Sequence, residues 1–169
     1  MAEAERTALT RRVLRALEKD ARLPVARLAV MLGADEAEVA EVVARCERAG
    51  IIRRYKTVVA WDRLDEARVT ALIDVSVSPQ RDVGFDQVAV RIARFPEVRS
   101  VQLVSGGSDL RVTIEGNTMH EVAEFVARKL SPIDAVTATN THFLLRTYKE
   151  DGEVFVDEPA ADGRLPVSP

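Results

Sequence analysis

Between Leu9 and Ile52 the apolar positions recur at helical spacing, and turn signals interrupt them twice. The segment TRRVLRALEKD places Leu9, Val13, Leu14 and Leu17 on one face, which predicts a first helix. PVARLAVML opens at Pro24, a residue suited to the first helical position, and ends at Gly33, so it predicts a second. ADEAEVAEVVARCERAG predicts a third: Asp35 can cap it, Glu38 three residues on can complete a capping box, and Gly50 stops it. Two helices joined by so short a glycine-bearing turn form a helix-turn-helix, which presents its later helix outward in the manner used to enter a DNA major groove.

After Tyr55 the period changes to alternation. Thr57 to Trp61 reads as a strand, and the charged run DRLDEA follows as a connector. RVTALIDVSVS alternates through Val69, Ala71, Ile73, Val75 and Val77, a strand buried on one face. Phe85, Val88, Ala89 and Ile92 return to helical spacing, and Phe95-Pro96 ends that helix. VRSVQLVSG and LRVTIEG read as a hairpin about Gly106, Gly107, Ser108 and Asp109. Thr118 with Glu121 marks a second capping box before a helix carrying Met119, Val122, Ala123, Val126 and Leu130, and a last strand spans about Val136 to Tyr148.

The order strand, helix, strand, strand, helix, strand is that of a ferredoxin-like domain of α+β class. The expected organisation is a helix-turn-helix over residues 1–56, a connecting strand and linker over 57–67, the ferredoxin-like domain over 68–150 and a polar tail over 151–169. Phe143, Leu144, Leu145 and Leu72 suggest a sheet apolar on both faces, the second covered by another subunit, and hence a homodimer or a higher homo-oligomer.

Charge adds an asymmetry. The chain holds 24 Lys/Arg against 27 Asp/Glu, but residues 1–60 hold 12 against 9, so the helical module is net positive on an acidic protein. No run is long and apolar enough to span a bilayer and no secretory pattern opens the chain, so a cytoplasmic location is expected. The single cysteine, Cys46, falls in helical phase with Val39 and Val43 and is expected to be buried.

LTRRVLRALEKDARLPVARLAVMLG, the third helix, IIRRY, VSGGSDLRVTIEG and TNTHFLL together resemble the Lrp/AsnC (feast/famine) transcriptional regulators over roughly residues 7 to 150. The resemblance implies a winged helix-turn-helix, a connecting strand, and a ferredoxin-like domain that dimerises, assembles further and binds a small molecule, usually an amino acid. It places that effector at Gly106, Gly107, Ser108 and Asp109 and at Thr139 and Thr141. In that reading the hairpin amides hold a carboxylate and Asp109 faces an ammonium. The same residue types would serve any hairpin and any strand.

Two positions depart from the family. Thr10 stands where an acidic residue is common, and the third helix carries Glu36, Glu38 and Glu41 where many members have Arg or Ser/Thr. Carboxylates repel phosphates, although a carboxylate can accept from a cytosine amino group. The expected contacts to double-stranded DNA are therefore Glu38 and Glu41 toward bases, and Arg45, Arg48, Arg53, Arg54 and Lys56 toward the backbone, flanked by Arg11, Arg12 and Arg22. His120 and His142 have no neighbours at metal spacing and no nucleophile motif accompanies them, so neither catalytic residues nor a metal or cofactor is expected. Two other readings remain: an effector-binding oligomer without DNA recognition, and an enzyme like the siroheme decarboxylases of the same architecture.

Overall fold

The computed structural model describes residues 2–64, 68–78 and 84–156. The chain divides into two compact units, Met1–Val59 and Ala60–Pro169.

The first unit is three helices, α1 (Ala2–Lys19), α2 (Val25–Leu32) and α3 (Glu36–Arg48). Helix α1 begins well before the expected Thr10, for Glu3 and Glu5 sit where the helix dipole favours carboxylates. The three apolar helix faces of the sequence meet in one core: Leu9, Val13 and Leu17 of α1 pack with Leu28, Ala29, Val39, Val42 and Cys46, all buried. Cys46 is fully buried, as its helical phase predicts. Asp35 accepts from the Ala37 and Glu38 N–H groups at 2.9 and 3.2 Å, which starts α3. Among the described residues the return bond from Glu38 is not formed, so the expected capping box is half made.

Both α2 and α3 stop in the same way. Gly33 and Gly50 adopt left-handed φ of 61° and 66°, and the next residue turns its N–H back into the helix, Ala34 to Ala29 O and Ile51 to Cys46 O. A side chain at either glycine would be strained, and the tight turn between α2 and α3 depends on the first.

The expected strand from Thr57 to Trp61 is absent: residues 53–60 carry no regular structure and Trp61–Leu64 form a 3-10 turn. Alternation makes a segment suited to a sheet, but a strand exists only where a neighbour takes its hydrogen bonds.

The second unit contains β1 (Val69–Val77), α4 (Phe85–Ala93), β2 (Val98–Leu103), β3 (Leu110–Gly116), α5 (Met119–Phe125), a π turn over Val126–Leu130, and β4 (Val136–Phe143). The strands form one antiparallel sheet in the order β2-β3-β1-β4, the α+β arrangement expected. Ala71, Ile73, Val75 and Val77 of β1 and Leu110, Val112 and Ile114 of β3 bury against Val88 and Ile92 of α4 and Val122 and Phe125 of α5. Thr118 caps α5 by accepting from Glu121 N–H, while the Glu121 carboxylate takes Asn117 N–H at 2.8 Å, one residue before the position a standard capping box uses.

The other face of the sheet corrects the expectation of a second apolar surface. Register places Asp74, Arg111 and Asn140 there beside Leu72, Ser76, Thr113, Ala138 and His142, so the face is predominantly polar. Phe143 lies opposite Ala71 and turns toward the helices; Leu145 is 89% exposed but lies beyond the strand. The last strand ends at Phe143, five residues short of the expected Tyr148. Lys149–Glu150 then pairs with Glu153–Val154 in a small hairpin, which draws the start of the expected tail into regular structure. The tail from residue 157 onward lies outside the described residues.

Candidate functional site

Helix α3 exposes the side turned away from Val39, Val42 and Cys46. At about 100° per residue that side carries Ala37, Ala40, Glu41, Ala44 and Arg48. Glu38 is exposed but lies toward the flank. Arg48 donates to Glu41 Oε1 at 2.9 Å, and their side chains are 65% and 63% exposed. Arg45 is held differently: its Nη2 donates to Thr10 Oγ1 at 2.9 Å, so it ties α3 to α1 and is the least available of the expected backbone contacts. Thr10 thus serves as the acceptor for this arginine through its hydroxyl. Arg12 likewise turns inward, donating to Leu32 O at the end of α2.

Past the helix, Arg53 and Arg54 are exposed and bring two positive charges next to its C-terminal end. Lys56 is exposed on the same segment. Tyr55, between them, donates to Glu47 Oε1 at 2.7 Å, and that bond raises the tyrosine pKa by stabilising its protonated form. Of the expected DNA contacts, Glu41 and Arg48 therefore meet on the outward face of α3, Arg53, Arg54 and Lys56 follow it, and Arg45 and Glu38 point elsewhere. Arg11 and Arg22 are exposed on α1 and the loop before α2.

In the second unit the β2–β3 hairpin and the polar face of the sheet enclose a groove of about 720 Å³. Gly106, Gly107 and Ser108 form one rim, Leu103 and Val104 an apolar shoulder, and Asp74, Arg111 and Asn140 the floor. Asp74 Oδ1 accepts from both Arg111 Nε and Nη2 at 2.9 Å. This contact holds the Asp74 carboxyl below its ordinary pKa and pushes the guanidinium up, against a smaller opposing effect of burial on each. His142 Nε2 stands 3.5 Å from Asp74 Oδ2 and 3.1 Å from Asn140 Nδ2.

Asp109 does not face this space as expected. Its Oδ2 accepts from Val77 N–H at 2.8 Å and its own N–H donates to Val75 O at 3.1 Å, which straps the hairpin to the end of β1. Thr139 borders the groove, whereas Thr141 lies outside it. The charges that the site does hold, Asp74 and Arg111, were missed because they become neighbours only through the β1–β3 register. The available signal was a lone Asp and a lone Arg interrupting two alternating strands on their polar phase.

Comparison with known proteins extends the geometry. A model of the Lrp/AsnC ligand binding domain matches residues 70–154, and a winged helix-turn-helix DNA-binding model matches residues 6–53. The uncharacterized HTH-type transcriptional regulator YugG of Bacillus subtilis is 45% identical over 158 residues, 93% of this chain and 95% of that protein. The fold matches the structure of AsnC from E. coli with a TM-score of 0.65 at 21% identity, covering 85% of this chain and 94% of that one. A transcriptional regulator of Neisseria meningitidis, solved as a complex with L-Met, gives a TM-score of 0.67 at 22% identity over 84% of this chain and 91% of that one.

Proposed function

Because the chain belongs to the Lrp/AsnC family of transcriptional regulators, we propose that it acts in the cytoplasm as a homodimer or larger homo-oligomer which binds a pseudo-palindromic DNA site and senses an amino acid. Its general role, a regulator with a DNA-binding helix-turn-helix and an Lrp/AsnC ligand-binding domain, is that of the family. The relatives it resembles are regulators, and the family is not enzymatic.

The DNA reading rests on α3, whose outward face is lined by small residues and closed by basic ones. Small side chains admit the helix to the floor of a groove, and Arg53, Arg54 and Lys56 supply the phosphate contacts that the glutamates cannot. Two copies of α3 in a dimer call for half-sites about 10 base pairs apart or a multiple of that. Replacing Arg54 with Ala is expected to weaken binding to specific and random DNA alike and to make the salt slope shallower by about one unit. Fluorescence anisotropy between about 50 and 200 mM salt reads the slope, and footprinting reads the symmetry. No salt-dependent DNA binding at about 50 mM salt, where such contacts are strongest, would leave an effector-binding oligomer as the better reading.

The effector reading rests on the groove. An amino acid carries one carboxylate, one ammonium and a side chain; the hairpin amides and the unused donors of Arg111 suit the first, Asp74 Oδ2 and the Asn140 carbonyl suit the second, and Leu103 and Val104 suit the third. The L-Met bound by the Neisseria relative points to the same class of ligand. Calorimetry across the twenty amino acids is expected to find at least one with micromolar to millimolar affinity, roughly 4 to 8 kcal/mol. Arg111→Ala is expected to weaken it about tenfold or more. If none of the twenty binds, the amino-acid assignment fails.

A further inference from the structure

Helix α3 confronts the DNA reading with a difficulty: a carboxylate at the centre of the surface that must approach a polyanion. Glu41 and Arg48 are two turns apart, on one side of the helix, with Ala44 between them and their tips joined at 2.9 Å. Arg48 therefore neutralises the one glutamate that would meet the groove squarely, while Glu36 and Glu38 lie off to the side.

We propose that this pair is the base-reading device of the protein, and that it recognises a G·C pair. The inference rests on the DNA-binding reading above and names the sequence chemistry that such binding reads. In the major groove guanine presents two acceptors, O6 and N7, and its partner cytosine presents one amino donor. A guanidinium with donors to spare beside a carboxylate with acceptors to spare is complementary to that pattern. Arg48 uses one of its nitrogens on Glu41 and retains others for guanine; Glu41 uses Oε1 on Arg48 and retains Oε2 for cytosine N4.

The arrangement also discriminates. An A·T pair with adenine in guanine's place sets an amino group against Arg48 and thymine O4 against Glu41; with thymine in guanine's place Arg48 keeps one acceptor, O4, where guanine gives two, so the preference for G·C over that orientation rests on the second acceptor. An ion pair this exposed is held weakly, because water screens both charges, so its ends re-aim at little cost when a base arrives. Ala37, Ala40 and Ala44 flank it with methyl groups that let the helix backbone come close and suit thymine methyls at the neighbouring positions.

The test is selection of binding sites from a random double-stranded DNA pool by the full-length protein and by its Arg48→Ala, Glu41→Ala and Glu38→Ala variants, each checked for helix content by circular dichroism. The wild type is expected to enrich a half-site with a strongly preferred G·C pair. Arg48→Ala and Glu41→Ala are each expected to lower the preference at that one pair by on the order of tenfold, with neighbouring positions unchanged. Glu38→Ala is expected to leave the selected sequence as it was. An unchanged preference in both Arg48→Ala and Glu41→Ala would reduce the pair to a surface ion bridge, as would a wild type that binds DNA with no sequence preference. A wild type that binds no DNA at about 50 mM salt would instead overturn the regulator reading and the base assignment with it.

Discussion

Replacing Ile73 with Ala is expected to destabilise the second unit by about 2–5 kcal/mol. Ile73 is fully buried at the middle of β1, the central strand that pairs with both β3 and β4, opposite Val112 on one side and Thr141 on the other. Removing its branched side chain costs the transfer energy of the lost carbons and leaves a cavity among side chains that strand hydrogen bonds hold in place. Urea unfolding should show a lower midpoint with an unchanged slope, and effector affinity should fall with it, since the next residue on β1 is Asp74. A loss under about 1 kcal/mol would mean that the sheet repacks or that β1 is not central. Val90→Ala, on the exposed side of α4, is the control and should stay within about 0.5 kcal/mol.

The next largest effect is expected at Asp109. Its carboxylate is the acceptor for the Val77 N–H, at the irregularity where the β1–β4 register shifts between Ser76 and Val77. Asp109→Ala leaves a partly buried backbone donor without its acceptor and unstraps the hairpin, which is expected to cost about 1–3 kcal/mol and to impair the groove's rim. Asp109→Asn separates this role from a charge contact. An asparagine carbonyl can still accept from Val77, so stability and effector binding should largely survive. If Asp109 instead met the effector's ammonium, the isosteric loss of charge would abolish binding while leaving stability intact. Chemical denaturation and calorimetry on the two variants distinguish these outcomes.

The way the groove is built explains why one half of it was readable and the other was not. Gly106, Gly107 and Ser108 are close in sequence, and their turn was legible from spacing; their place at an effector came from the family resemblance. Asp74 and Arg111 lie 37 positions apart and meet at 2.9 Å. Nothing in either strand taken singly says which residue of the other it will face. Asp109 shows the converse: its place in a turn motif was legible, but the direction of its carboxylate was set by the end of β1 passing beneath it.

The same division runs through the helical unit. Local rules sufficed for the three helices, because the apolar period, the Asp35 cap and the two glycine stops act within a turn or two of chain. They also sufficed for Cys46, whose burial follows from its phase with Val39. They could not separate Arg45 from Arg48. Three residues apart on one helix, the first reaches back to Thr10 on another helix and the second forward to Glu41 on the exposed face.

The order of elements, the helical and alternating periods, and the motifs that carry the family resemblance were thus determined by the chain itself, since each depends on neighbours in sequence. Three features were decided only by tertiary structure. The polar character of the second sheet face follows from strand register, in which a shift of one residue exchanges the two faces. The missing strand at residues 57–61 reflects backbone groups that require a partner which local sequence cannot supply. The pairing of Asp74 with Arg111 arises because a charge chooses its counter-ion by distance in space, and that distance does not exist until the sheet has formed.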